Sequence, residues 1–258
     1  MNSIEKHISE LNRLQNLQQR SHWMNNLHPL GKLLLSVLYI LIVVSFGKYE
    51  LSALIVMAIY PAICFAIGDL SLKEGIYRMR LILPLVIFVG VFNPFFDKNI
   101  VLTVGTLQIT GGVISMITLM LKGFYSVLSA YILIATTSIE DICYALSTLH
   151  VPKVIILVIL LIYRYFGVMG IEADRITTAY KLRAPKQNGI HYKAWGTLVG
   201  QWLLRSMDRA GNVYESMLLR GFKGDFKIKK KAVRTLDFVY PSLWILIFLF
   251  IRLSGVFR

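Results

Sequence analysis

PKVIILVILLIYRYFGVMGI, residues 152–171, is the stretch that decides how this chain folds. It is apolar enough to cross a bilayer, which takes about 20 such residues. Yet it carries Arg164 at its centre and runs without a break into a polar passage, residues 172–234. Periodicity favours one helix through that boundary. Ile162, Phe166, Met169, Ala173, Ile176 and Tyr180 recur at spacings of four and three, the signature of a helical stripe. The next step of three lands on Arg183. Charge points the same way. Residues 172–234 hold 14 Lys or Arg against 5 Asp or Glu, a balance that belongs on the inner side of a membrane. If residues 1–32 and the basic 69–80 loop (Lys73, Arg78, Arg80) are also inside, four earlier crossings bring the chain back inside near residue 136. A crossing by 152–171 would then place the basic passage outside. These residues are therefore expected to stay on the inner side, in a long helix lying along or under the membrane.

A second stripe follows residue 189. Trp195, Val199, Trp202, Ser206, Ala210, Val213 and Met217 lead, by another step of three, to Arg220. Both stripes thus end on an arginine set between a leucine and a small residue: Leu182-Arg183-Ala184 and Leu219-Arg220-Gly221. Each is followed by a helix breaker, Pro185 in the first copy and Gly221 with Gly224 in the second. An exposed helix end of this kind suits a groove: leucine anchors, the small residue lets the surfaces approach, and the guanidinium takes carboxylates or carbonyls in fixed geometry. Two matched ends suit a two-fold partner, such as a dimeric ATPase.

Working outward, the rest of the chain reads as membrane. It is 56% hydrophobic and 16% charged, with mean hydropathy +0.61, against about 25% charged residues in soluble domains. Apolar runs at 30–46, 51–68, 81–96, 111–135 and 236–253 give five expected crossings. Pro61 is expected to kink the second, and Pro84 and Asn93-Pro94 to break the third. Lys32 is placed to reach the interface, and Lys122, inside the fourth run, to be paired or to snorkel. Residues 97–110 read as an exposed turn or short hairpin, residues 4–17 as a surface helix, and 225–234 as a juxtamembrane basic anchor. The division is a cytosolic segment 1–29, four spans in 30–136, a cytosolic coupling-helix region 137–234 and a last span in 235–258. This is an all-α integral membrane protein with long amphipathic helices inserted before its last span.

Several chemistries are missing. The net charge of +14 comes with no nucleic-acid recognition motif and fits anionic headgroups and inner loops. No GxxxxGK[ST] loop supplies an ATP site, and the five histidines are scattered. No metal site and no catalytic set is expected, nor a disulfide between Cys64 and Cys143. The pattern is that of a subunit that transmits something, rather than an enzyme, a stand-alone secondary transporter or a membrane enzyme.

Over nearly its whole length the chain resembles the transmembrane T component of energy-coupling factor (ECF) transporters, of the CbiQ type associated with cobalt. The resemblance rests on Leu182-Arg183-Ala184, on Asp208-Arg209-Ala210 through Glu215-Ser216-Met217-Leu218-Leu219-Arg220-Gly221-Phe222, on His28-Pro29-Leu30-Gly31-Lys32-Leu33, and on Val151-Pro152 leading to Tyr163-Arg164-Tyr165. Lys181-Leu182-Arg183-Ala184-Pro185 departs from the family's usual Ala-Arg-Gly or Ala-Arg-Ser. The resemblance implies a four-part importer of a bacterial inner membrane. Two cytosolic ABC-type ATPase subunits would bind ATP and magnesium and receive Arg183 and Arg220. A membrane S component would bind cobalt or a related metal (a vitamin such as biotin is the alternative). It would meet the apolar sides of the long helices, at Phe166, Met169, Ile176, Trp202, Val213 and Met217. This chain would bind no cofactor and would have its N-terminus in the cytosol.

Overall fold

The computed structural model describes residues 18, 22–68, 71, 75, 77, 80, 83–96, 100–104, 107–185, 187, 189–224 and 235–256. The expected surface helix 4–17, most of the 69–80 loop and the basic anchor 225–234 lie outside them. Among the described residues the chain is helical apart from one hairpin. Its helices are α1 (Trp23–Asn26), α2 (Pro29–Ser45), α3 (Leu51–Val56), α4 (Ile59–Ile67), α5 (Leu83–Phe96), α6 (Gly111–Thr136), α7 (Ile139–Thr148), α8 (Lys153–Arg183), α9 (Tyr192–Leu219) and α10 (Leu236–Val256). Between α5 and α6, antiparallel strands β1 (Ile100–Val104) and β2 (Leu107–Thr110) pair with Leu102 opposite Ile109 and Val104 opposite Leu107. The chain divides into two compact units, one within Leu17–Ser138 and Lys231–Arg258, the other within Ile139–Lys230. By length and composition α6, α8 and Leu236–Leu253 could each cross a membrane, and Pro29–Ser45 and Leu51–Ile67 are shorter apolar segments. It is an all-α membrane protein.

In the first unit α6 is the hub, touching α2, α3, α4 and α5, while α10 packs on α2 and α3. Lipid is as apolar as leucine, so these contacts depend on close fit more than on hydrophobic transfer. Gly31 shows how close: a Cβ there would stand 2.8 Å from Pro241 Cγ and 3.1 Å from the Asp237 carbonyl. Gly123 likewise lies against Val86, and Gly90 against Met116. An aromatic cluster fills the interior. Tyr60 meets Trp244 and Phe248 edge-on at 5.1 and 5.3 Å between ring centroids, and Tyr39 lies 4.6 Å from Tyr60.

The polar groups of this unit secure helix ends. Three consecutive carbonyls at the C-terminus of α2 are taken by cations: Lys122 Nζ donates to Val44 O and Phe46 O, and Arg252 Nη2 donates to Ser45 O at 3.0 Å. Arg252 also pairs with Glu50 at 2.9 Å, and Glu50 accepts the Gly47 N–H. Lys122 is thus bound structurally, to another helix's terminus. Lys32 differs from its expected place at the interface. It is buried and donates to Thr136 O at 2.8 Å and Asn25 O at 3.3 Å. The last carbonyls of α6 have no partner within their own helix, so an ammonium is stabilised there by hydrogen bonding and by the helix dipole.

Proline acts differently from expectation at two places. Pro61 does more than kink its run: the helix stops at Val56 and restarts at Ile59. The residue four before Pro61 is Met57, whose carbonyl the proline ring cannot bond. Tyr39 Oη donates to it instead, at 2.9 Å. The third run, conversely, is unbroken from Leu83 to Phe96. Pro84 falls at the second helical position, where no N–H is required, and Pro94 in the last turn. At 1.5 Å per residue α5 is about 21 Å long, short of the ~30 Å hydrocarbon core.

Candidate functional site

The second unit is built from α7, α8 and α9. The 152–171 run and the polar passage after it do form one helix: α8 runs for 31 residues without interruption. Tyr180 organises its connection to α9, donating to Gln187 Oε1 at 2.8 Å and accepting the His191 N–H at 3.2 Å. His191 then caps α9, its Nδ1 accepting from Lys193 N. His22 and His28 cap α1 and α2 in the same way. Capping, a role the scattered spacing did not reveal, accounts for three of the five histidines. Among the described residues no group of three His, Cys, Asp or Glu could hold a metal ion.

The helices α8 and α9 touch at a seam. Trp202 Nε1 donates to Met169 O at 3.1 Å. One turn along α8, Glu172 pairs with Arg205, and its second oxygen lies 3.6 Å from Arg175 of its own helix. The Glu172 side chain is only 13% exposed, so this carboxylate is largely withdrawn from water between two cations. Phe166, Met169, Trp202, Val213 and Met217 are drawn together by the seam. With Ile162, Tyr214 and neighbours they line an apolar groove of about 590 Å³. Ile176, the sixth residue expected on that face, is buried at 6% exposure and has little surface to offer.

Both arginine motifs lie at helix ends. Arg183 is the last residue of α8, and Arg220 caps α9. Their leucines project into open space, Leu182 at 78% and Leu219 at 89% exposure. The two ends are finished differently. After Arg220 the chain turns through Gly221 at φ +80°, Gly221 N bonds Leu218 O and Phe222 N bonds Met217 O. That closure needs a left-handed residue, which explains a glycine here more directly than close approach to a partner does. Ala184 has φ −130°, its N–H bonding Tyr180 O and its carbonyl accepting from Gln187 N, so nothing requires glycine in the first motif. Arg183 and Arg220 also lie on opposite sides of the seam. Tyr180, near the first, contacts the start of α9, whereas Arg220 shares a cleft with Leu161 of α8.

The CbiQ family profile, described as a cobalt transport protein, matches residues 20–231. The chain belongs to the CbiQ cobalt transport protein family. Both arginine motifs, the seam and the helices carrying them fall inside the matched region. A curated relative, the nickel permease LarQ of Lactiplantibacillus plantarum, is 29% identical over 91 residues, which are 35% of this chain. The match spans a third of that relative's length. Membership in CbiQ makes this chain a membrane component of a transport system.

Proposed function

We infer that this chain is the T component of an ECF-type importer. Its part is to join two cytosolic ABC-type ATPase subunits to a membrane S component that selects the cargo. Arg183 and Arg220, with Leu182 and Leu219 beside them, seat in the ATPase subunits. The groove lined by Phe166, Trp202 and Val213 faces the S component. ATP and magnesium are held by the partners, and this chain conducts the motion between them. The cargo is cobalt or the related divalent nickel, a reading supported by the family description and by the relative's name. The chain works in a bacterial inner membrane with its N-terminus in the cytosol.

The observation that carries the reading is the pair of exposed Leu-Arg ends on two helices joined through the Met169–Trp202 and Glu172–Arg205 seam. A displacement of either end is carried along its own helix to the groove, and the seam passes it to the other helix. Substitution Arg220→Glu reverses a charge at an exposed position without touching the core. The expected result is loss of ATPase co-purification and of cobalt uptake, with membrane insertion unchanged. Uptake at the wild-type rate by this variant would overturn the assignment.

A further inference from the structure

The residues that carry both arginine motifs, Ile139–Lys230, lie between α6 and α10 in sequence. The chain leaves the first unit at Ser138, just past α6, and returns at Lys231, just ahead of α10. Both helices are fastened to α2, and at both of its ends. At its start, Lys32 Nζ donates to the carbonyl of Thr136, the last residue of α6, at 2.8 Å. His28 N donates to Asp237 Oδ1, in the first turn of α10, also at 2.8 Å. Gly31 stands between these contacts and lets Pro241 of α10 approach, so that a Cβ would lie 2.8 Å from the proline ring. At the far end of α2 the same two helices return: Lys122 of α6 donates to Val44 O and Phe46 O, and Arg252 of α10 donates to Ser45 O. Apolar helix faces in lipid resist sliding only through close fit. Directional bonds at both ends fix the register of α6 and α10 against α2. Lys32 and Asp237 are each 7% exposed, and charges are withdrawn from water to that extent only where hydrogen bonds hold them.

We propose that α2 is a splint holding α6 and α10 at a fixed separation, and that Lys32 and Asp237 are positioning residues for transport, a role that rests on this chain being the T component. Motion of the coupling helices reaches the membrane bundle along the chain at residues 138 and 231. With both adjoining helices clamped to α2, that motion moves the bundle as one body. Without the clamp, α6 and α10 separate under load and the stroke of the ATPases is dissipated inside this chain. The buried lysine and aspartate at the start of α2 thereby gain a purpose that packing alone does not give them.

The test uses the full complex in liposomes, this chain co-expressed with its ATPase and S subunits, and measures cobalt uptake and ATP hydrolysis together. Lys32→Met and Asp237→Ala should leave ATPase co-purification and the hydrolysis rate unchanged. Uptake per ATP should fall about tenfold, the size of effect expected when one network that carries coupling is cut. Lys32→Arg should restore part of it. Tyr39→Phe, which loosens the same bundle away from both ends of α2, should lower stability without changing uptake per ATP. An unchanged ratio in the Lys32 and Asp237 variants, or the same fall in Tyr39→Phe, would overturn the proposal. A second measurement leaves the clamp intact. Spin labels at Ser138 and Thr235, with the buried Cys64 and Cys143 replaced by alanine, report the separation of the two points. That separation should stay within about 2 Å between the ATP-free complex and the complex trapped with ATP and vanadate, and a larger change would overturn the splint whether or not the variants fold. Absence of ATP-driven uptake by the wild-type complex would instead overturn the T-component reading, and the role in transport with it.

Discussion

Reversing the charge of Glu172 should uncouple the two arginine-ended helices. The carboxylate sits at the seam, 13% exposed, between Arg205 of α9 and Arg175 of its own helix. Eleven residues separate it from Arg183, and fifteen separate Arg205 from Arg220. At 1.5 Å per residue the seam is thus about 17 Å from Arg183 and about 23 Å from Arg220. A change of ~10° in the crossing would move those ends by about 3 and 4 Å, enough to unseat a side chain docked with hydrogen-bond geometry. Glu172→Arg confronts two cations with a third, and Arg205→Glu in the same chain restores an opposite pair across the seam. Arg205 is half exposed, so solvent screens the interaction. The coupling energy between the two positions should be about 1–2 kcal/mol, between the values for exposed and buried pairs. The assay places spin labels at the exposed Lys181 and Lys223, outside both Leu-Arg motifs, and measures their separation alongside cobalt uptake. The single reversal should broaden the distance distribution and reduce uptake, and the double reversal should recover much of both. An unchanged distribution in the single variant, or no recovery in the double, would refute the seam as the element that sets the spacing.

Other positions give independent tests. Gly31→Ala places a methyl 2.8 Å from Pro241 and should cost about 1–3 kcal/mol in thermal unfolding in detergent, whereas Gly167→Ala, with nothing within 4 Å, should be neutral or slightly stabilising. Lys32→Met removes the donor to Thr136 O and should destabilise by about 1–3 kcal/mol, a loss that Lys32→Arg should partly prevent. Tyr39→Phe strips the donor from the carbonyl that Pro61 leaves open and should cost about 1–3 kcal/mol. Adding Pro61→Ala, which supplies an N–H to that carbonyl, should suppress much of the loss, and simple additivity would argue against the link. Burial, with the Glu140 carboxylate adding to it, pushes the Cys143 thiol above its usual range. The folded protein should therefore resist maleimide at mildly alkaline pH and react more readily as pH rises. Labelling as fast as free glutathione would contradict that placement.

Much of the site is written in local pattern. Steps of four and three residues ending on Arg183 and Arg220 define amphipathic helices whatever surrounds them. A single stripe through residues 162–180 therefore sufficed to predict the unbroken α8 across a hydropathy boundary. Proline was less legible because its effect depends on register. The same residue type breaks a helix at Pro61, where the carbonyl four positions back lies mid-run, and is harmless at Pro84, in a first turn. Burial was invisible for a similar reason. Ile176 belongs to the same stripe as Phe166, yet one is 6% exposed and the other 61%, since a stripe marks a face without saying how much of it the chain itself covers.

The cations separate the two levels most clearly. Sequence alone determined that Lys122 stands inside an apolar run, where an unpartnered charge is costly, and set Lys32 at the interface and Arg164 in the middle of 152–171. Only the tertiary structure decided where each of them ends up. Lys32 and Lys122 reach the carbonyl ends of helices distant in sequence, while Arg164 opens onto the cleft beside α9. Hydrophobic period and breaker residues act within one helix and are read in order. The satisfaction of a charge depends on which helix end packing brings within about 3 Å, and no local pattern encodes that distance.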